Sequence, residues 1–215
     1  LLEQNKGDNS NWAISSIPPS YLKNRYCSAA LKQYIAFLVE LQQERSLLKL
    51  VDQFKGDESS LPAQMLLKLN SITFESGVER EGKYIERQVK VRVGQNVFRK
   101  MILSLYNNRC CITGLSIPEV NRASHIVGWA EQEALRLDPH NGLCLSATYD
   151  AAFDRKLLSL DDDYRIILSR ELKEHYTDHV AREFFLSKEG QRIELPQRFL
   201  PAREHLEHHR RKGNF

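Results

Sequence analysis

From Leu31 the apolar positions fall at Leu31, Tyr34, Ile35, Leu38 and Leu41, the three-and-four spacing of a helix with one buried stripe. Leu47, Leu48, Val51 and Phe54 renew that spacing after the polar run Glu44-Arg45-Ser46, where the pattern predicts a break. Gly56-Asp57-Glu58-Ser59-Ser60 is loop chemistry, and Pro62 stands where a helix over 63–69 begins. Ahead of these, residues 1–16 are polar and rich in Asn and Ser, and read as a loose arm or an edge segment. Pro18-Pro19-Ser20 stops the arm and starts a helix, with Ser20 as its N-cap. The first third of the chain is therefore expected to be helical, its Tyr and Leu stripes facing a core.

Between 71 and 95 the pattern changes. Tyr84, Ile85, Val89, Val91 and Val93 interleave with Arg87, Lys90 and Arg92, largely at a period of two. That predicts an extended strand or arm with one basic side, ended by Gly94. Helical spacing returns at Phe98, Met101, Ile102, Leu105 and Tyr106 and stops at Asn107-Asn108. Cys111-Ile112-Thr113-Gly114 reads as a tight turn, followed by an extended segment through Ile126-Val127, a strand over 142–145 and a helix from 148 to about 155. Two short apolar runs, 157–160 and 165–168, flank Asp161-Asp162-Asp163-Tyr164 and predict a hairpin. A pair of amphipathic helices fills the remainder, the last opened by Pro201. The expectation is an α+β chain, with a helical N-terminal module over 1–80 and a second module over 81–215.

Composition narrows the function classes. With 41% hydrophobic and 27% charged residues the chain has the make-up of a soluble globular protein. No apolar run approaches the ~20 residues that span a bilayer, and Leu1-Leu2-Glu3-Gln4-Asn5-Lys6 is too polar for a secretory leader. The four cysteines, Cys27, Cys110, Cys111 and Cys144, do not form a disulfide framework, because neighbouring Cys110 and Cys111 point apart. A reducing, cytoplasmic setting is expected. A net charge of +3 permits nucleic-acid binding without requiring it. Its distribution is more telling: Lys83, Arg87, Lys90 and Arg92, then Arg99-Lys100, then Arg155-Lys156, then Arg210-Arg211-Lys212.

The candidate chemistry sits at 124–154. Ser124-His125-Ile126-Val127 places an imidazole in a short apolar strand, where one face is presented. A neutral imidazole, ionising near ~6.5, suits general-base activation of water. Asp138-Pro139-His140-Asn141-Gly142 precedes the second strand, and Asn-Gly by itself is also the commonest turn pair. Tyr149-Asp150-Ala151-Ala152-Phe153-Asp154 follows on a helix, with Asp150 and Asp154 one turn apart on the same face. Carboxylates there are hard oxygen donors suited to a divalent ion. His205 and His209 have metal-binding spacing too, but a solvated helix end is the expectation for them.

These segments, together with Val93-Gly94-Gln95-Asn96-Val97-Phe98-Arg99 and Tyr106-Asn107-Asn108-Arg109-Cys110-Cys111-Ile112-Thr113-Gly114, resemble in order and spacing the HNH endonucleases of bacterial restriction type. The resemblance covers roughly 95–169. It implies a ββα-metal (HNH) catalytic module with flanking helices, acting as a metal-dependent DNA endonuclease in restriction or defence. It further implies His125 as general base, Asn141 as the residue that ties the strands and orients the loop, and Asp150 as metal ligand. Ser124 and Asp154 are further candidate ligands, with Asp138 a remoter one. Mg²⁺ or Mn²⁺, one per site, is the implied cofactor. Double-stranded DNA is the implied partner, with Arg99, Lys100, His140, Arg155 and Lys156 along its phosphates. A homodimer is expected because cutting both strands takes two sites.

Two departures stand out. Ser124 occupies the place where many family members carry a metal-binding Asp or His. Of the paired Cys-x-x-Cys knuckles only Cys111 remains, so a structural zinc is not expected. The Ser124 departure keeps a non-catalytic DNA-binding protein on a degenerate HNH scaffold in view as an alternative. A nuclease subunit of a larger defence complex, docked through its N-terminal helices, is the other.

Overall fold

The computed structural model of the chain describes residues 26–72 and 79–215. The expected polar arm and the Ser20 cap lie outside the described residues. The first helix, α1 (Tyr26–Gln53), runs through Glu44-Arg45-Ser46 without the predicted break. Glu44 explains the continuity: its buried carboxylate accepts hydrogen bonds from Asn96 Nδ2 at 2.7 Å and Lys100 Nζ at 2.6 Å. The polar run marks a contact with another helix and not an end. Helix α2 (Leu61–Asn70) begins with Pro62 in its first turn, as expected, and turns Leu61, Met65 and Leu69 inward at four-residue steps.

The strand predicted over 84–93 is overturned. That segment belongs to α3 (Glu79–Leu105), a single long helix. Val89, Val93, Val97 and Met101 are all buried. They recur every four residues, so the same valines satisfy a helical stripe as well as a two-residue alternation. Gly94 lies buried inside the helix and does not end it. A Cβ there would meet Trp129 Cη2 at 2.9 Å and Leu69 Cδ2 at 3.4 Å, so the missing side chain allows close packing. The helix stops at Asn107 and Asn108, with φ of 52° and 57°, and Asn108 N–H donates back to the Leu103 carbonyl at 2.7 Å. Asn tolerates this left-handed backbone better than most side chains.

Next come β1 (Asn121–His125) and β2 (Gly142–Ser146), paired antiparallel with Ser124 opposite Leu143 and His125 opposite Gly142. Helix α4 (Ala147–Asp154) completes a ββα unit. The predicted hairpin follows as β3 (Leu158–Leu160) and β4 (Ile166–Leu168). Asp161 shapes its turn by accepting from the Asp163 and Arg165 N–H groups. Three short helices close the chain, where a pair was expected: α5 (Arg170–His175), α6 (His179–Phe184) and α7 (Arg203–Arg210).

The architecture is α+β, with α3 as its spine. That helix packs on α1 and α2 along one flank and on β1 and β2 along the other. The core is continuous across it, from Leu47 and Met65 through Phe98 and Ile102 to Leu143, Phe153 and Leu206. Gly142 shows how close the packing is: a Cβ there would lie 2.3 Å from Ile102 Cδ1 and 2.9 Å from Phe98 Cζ. Its φ is −134°, ordinary extended backbone, so this Asn-Gly pair serves helix–sheet contact and not a left-handed turn.

His209 corrects another expectation. It is fully buried, stacked on Phe153 with ring centroids 3.7 Å apart, and bonded to Ser159 Oγ at 2.8 Å and the Phe153 carbonyl at 3.0 Å. Burial, reinforced by the Lys156 charge, pushes its pKa down to about 3. It is a neutral core histidine and not a solvated helix end. Among the described residues no helix is long and apolar enough to cross a membrane.

Candidate active site

A cleft of about 480 Å³ opens where α3, β1 and α4 meet. Phe98 and Arg99 line it from α3, Arg122 to His125 from β1, Gly128 and Trp129 from the loop after β1, and Asp150 and Asp154 from α4. The ββα unit and α3 together bring an imidazole, two carboxylates and two guanidinium-bearing side chains to one concavity.

His125 is held on three sides. Its ring stacks on Phe98 with centroids 3.6 Å apart and planes 13° from parallel. Trp129 meets it edge-on at 5.5 Å. Its Nε2 lies 3.1 Å from the Arg136 carbonyl. A carbonyl oxygen only accepts, so Nε2 carries the proton and Nδ1 keeps its lone pair. Burial lowers the pKa of His125, with the Arg136 bond acting weakly in the opposite direction. The ring is therefore neutral at physiological pH, the state a general base requires.

The loop that supplies the Arg136 carbonyl is clamped by Asn141. Fully buried, Asn141 accepts from Val127 N–H at 2.8 Å, and its Nδ2 donates to the Val127 and Leu135 carbonyls at 3.0 and 3.2 Å. It lies behind the cleft and not on its surface. A second clamp was not visible in the sequence. Glu131 accepts from Gly128 N–H and from His208 and Lys212 at the C-terminal end of α7. Lys212, then His208, hold its carboxyl down at about 2.

On the acidic side, the buried Ser124 hydroxyl donates to Asp150 Oδ1 and fixes that carboxylate against β1. Asp150 lies in the first turn of α4, where the helix dipole favours negative charge, whereas Asp154 ends the helix, where the dipole opposes it. Burial, then the charge of Asp150, raises the Asp154 pKa. Two like charges one turn apart, facing a cleft and not neutralised by each other, suit a cation. Ser124, Asp150 and Asp154 offer hard oxygens, the donor type for Mg²⁺ or Mn²⁺ that keep much of their water. The set is sparse: among the described residues no group of three or more His, Cys, Asp or Glu side chains is placed to hold a metal.

The candidate DNA contacts separate. Arg99 lines the cleft, its guanidinium braced by the Asn121 and Pro118 carbonyls at 2.7 and 2.8 Å. Lys100 faces α1, paired with Glu44. His140 bonds Asp138 through Nδ1 at 2.9 Å, which raises its pKa, and sits against Phe199. The same Asp138 oxygen caps the His140 N–H, so Asp138 is engaged away from the cleft. Arg155 is exposed beyond α4 and bonds the Ala151 carbonyl. Lys156, at φ 60°, closes α4 with its ammonium 5.8 Å from the Phe153 ring centroid. Neither residue lines the cleft, whereas Arg122, which was not singled out from the sequence, does. The signal was available: on a strand, residues two apart share a face, and Arg122 stands two before Ser124.

Cys110, Cys111 and Cys144 are buried free thiols. Burial raises Cys111 well above its ordinary value and Cys144 to about 12, so both are protonated.

Residues 110–161 match the family described as HNH endonuclease. That span contains both strands, Asn141 and α4. No curated protein matches the chain.

Proposed function

We propose that this chain, whose residues 110–161 match the HNH endonuclease family, is a metal-dependent DNA endonuclease of restriction or defence type. The observation that carries the reading is His125: neutral, its proton fixed on Nε2 by the Arg136 carbonyl, it shares one cleft with Asp150 and Asp154. His125 takes the proton of the attacking water at Nδ1. Phe98 and Trp129 hold the ring in place and restrict solvent around it. Arg99 and Arg122 bind the phosphate, and Asp150, Asp154 and Ser124 hold the ion, with Ser124 also orienting Asp150. Held there, Mg²⁺ or Mn²⁺ would supply charge neutralisation at the phosphate and at the leaving oxygen. Cutting both strands takes a second site, supplied by a second copy of the chain.

Supercoiled plasmid incubated with Mg²⁺ or Mn²⁺ tests the reading. Wild type should nick it, chelator should abolish nicking, and Asp150→Asn should lower the rate by ~10²-fold or more, the scale of removing one transition-state charge stabiliser. Equal rates with and without chelator would refute it. The sparse donor set favours one other reading, a DNA-binding protein without catalysis. That reading predicts salt-sensitive DNA binding and no calorimetric Mn²⁺ site dependent on Asp150.

A further inference from the structure

A second cavity, of about 610 Å³, lies beyond the Trp129 wall of the cleft, between α2, α3 and the loop after β1. Its volume is that of a small-ligand pocket. Leu66, Val91 and the Trp129 indole give it apolar surface, and Arg87, Arg136 and Glu133 give it charges of both signs. Flat aromatic surfaces stack on an indole, a carboxylate accepts from ring N–H and exocyclic amino groups, and guanidinium groups donate to ring carbonyls and phosphate oxygens. Those are the features of a nucleobase that carries its phosphate. Arg136 and Glu133 pair across 3.8 Å, beyond hydrogen-bond length, so each keeps hydrogen-bonding capacity for a polar ligand.

The cavity is coupled to the chemistry through two residues. Trp129 lines both concavities and makes a T-shaped ring contact with His125. Arg136 Nε donates to the Trp129 carbonyl at 3.0 Å, its guanidinium lies 5.3 Å from the indole centroid, and its own carbonyl accepts from His125 Nε2–H. One side chain, Trp129, therefore separates the cavity from the cleft that holds His125.

We infer that the cavity receives one nucleobase of the substrate strand beside the scissile phosphate. The inference rests on the nuclease reading and adds to it a place where the base is read, built jointly by the helical part of the chain and the ββα unit. Taking a base out of its stack is costly, least so in single-stranded or mismatched DNA, so such substrates should be favoured.

Two measurements test it. The first is an NMR titration with each of the four 2′-deoxynucleoside 5′-monophosphates, following the Trp129 indole N–H. It compares wild type with Leu66→Phe and Val91→Phe, which narrow the cavity. The second is sequencing of the ends that the same proteins cut from random-sequence DNA. Wild type should show a saturable shift with at least one nucleotide, weakened at least fivefold in both variants. Its cut ends should carry a base bias beside the break that flattens in the variants. Should a Phe variant fail to fold by urea titration, Glu133→Gln on an exposed turn replaces it and should change the order of preference among the four nucleotides. An unmoved Trp129 signal with all four, or shifts and ends identical in wild type and variants, overturns the inference. If wild type binds nucleotides as described but cuts nothing, the nuclease reading fails while the nucleobase site stands.

Discussion

Replacing Asn141 by Asp isolates what its amide does for the loop between β1 and β2. In the wild type the amide oxygen faces a donor, Val127 N–H, and the amide nitrogen faces two acceptors, the Val127 and Leu135 carbonyls. Aspartate has the same shape but sets a second oxygen against those two carbonyls. Fully buried, the new side chain can fold only as the neutral acid, its O–H donating to one carbonyl. In the unfolded chain the same carboxyl ionises near ~3.9. Its folded pKa is therefore raised, and the sign follows. The variant's stability is fully present below ~3.9 and falls as pH rises above it, by about 1.4 kcal/mol per pH unit until the folded carboxyl ionises. From pH 4 to 7 the ceiling is about 4 kcal/mol. Asn141→Ala removes the group outright and should cost ~2–4 kcal/mol through unsatisfied buried partners, with no slope against wild type. Urea unfolding of the three proteins at several pH values reads both effects. A constant offset between Asn141→Asp and wild type across that range would refute the clamp.

Three further outcomes follow from the same contacts. Gly142→Ala should cost about 1–3 kcal/mol by overpacking against Ile102 and Phe98, and should lower nicking activity because Phe98 carries the His125 ring; thermal unfolding and the plasmid assay check the two parts. His209, neutral when folded with a pKa of about 3 against an ordinary 6.5, contributes stability that is present above ~6.5 and lost as pH falls toward 3. Relative to His209→Phe, wild type should lose about 2 kcal/mol between pH 7.5 and 5, and a difference without slope in urea titrations would contradict the burial argument. Lys100→Met should loosen the pairing of α1 with α3 by ~1–3 kcal/mol, since it leaves the buried Glu44 carboxylate one charge-assisted hydrogen bond short; an unchanged urea midpoint would refute that.

The ββα unit was legible because its signals are local. Ser124, His125, Asp150 and Asp154 sit on elements whose lengths and order the short-range pattern defines, and folding brings them to one cleft. What escaped depends on partners far along the chain. The valines at 89 and 93 satisfy two periods at once, and only packing on α1 and α2 selects the helix. Lys100 looked like part of a basic surface until Glu44, on a different helix, took it up. His209 resembled a solvated helix end because Ser159 and Phe153, which bury it, are about fifty residues away in sequence. Gly94 and Gly142 read as punctuation, whereas each makes room for a neighbouring side chain.

Imidazole rescue of His125→Ala tests the central claim most directly. Loss of a general base lowers rates by ~10²–10⁴-fold, and the cavity left against Phe98 and Trp129 admits free imidazole. The account predicts that metal-supported plasmid nicking by His125→Ala falls by that order and recovers at least tenfold with added imidazole, while wild type is unaffected. Wild-type rates in His125→Ala without imidazole would contradict it.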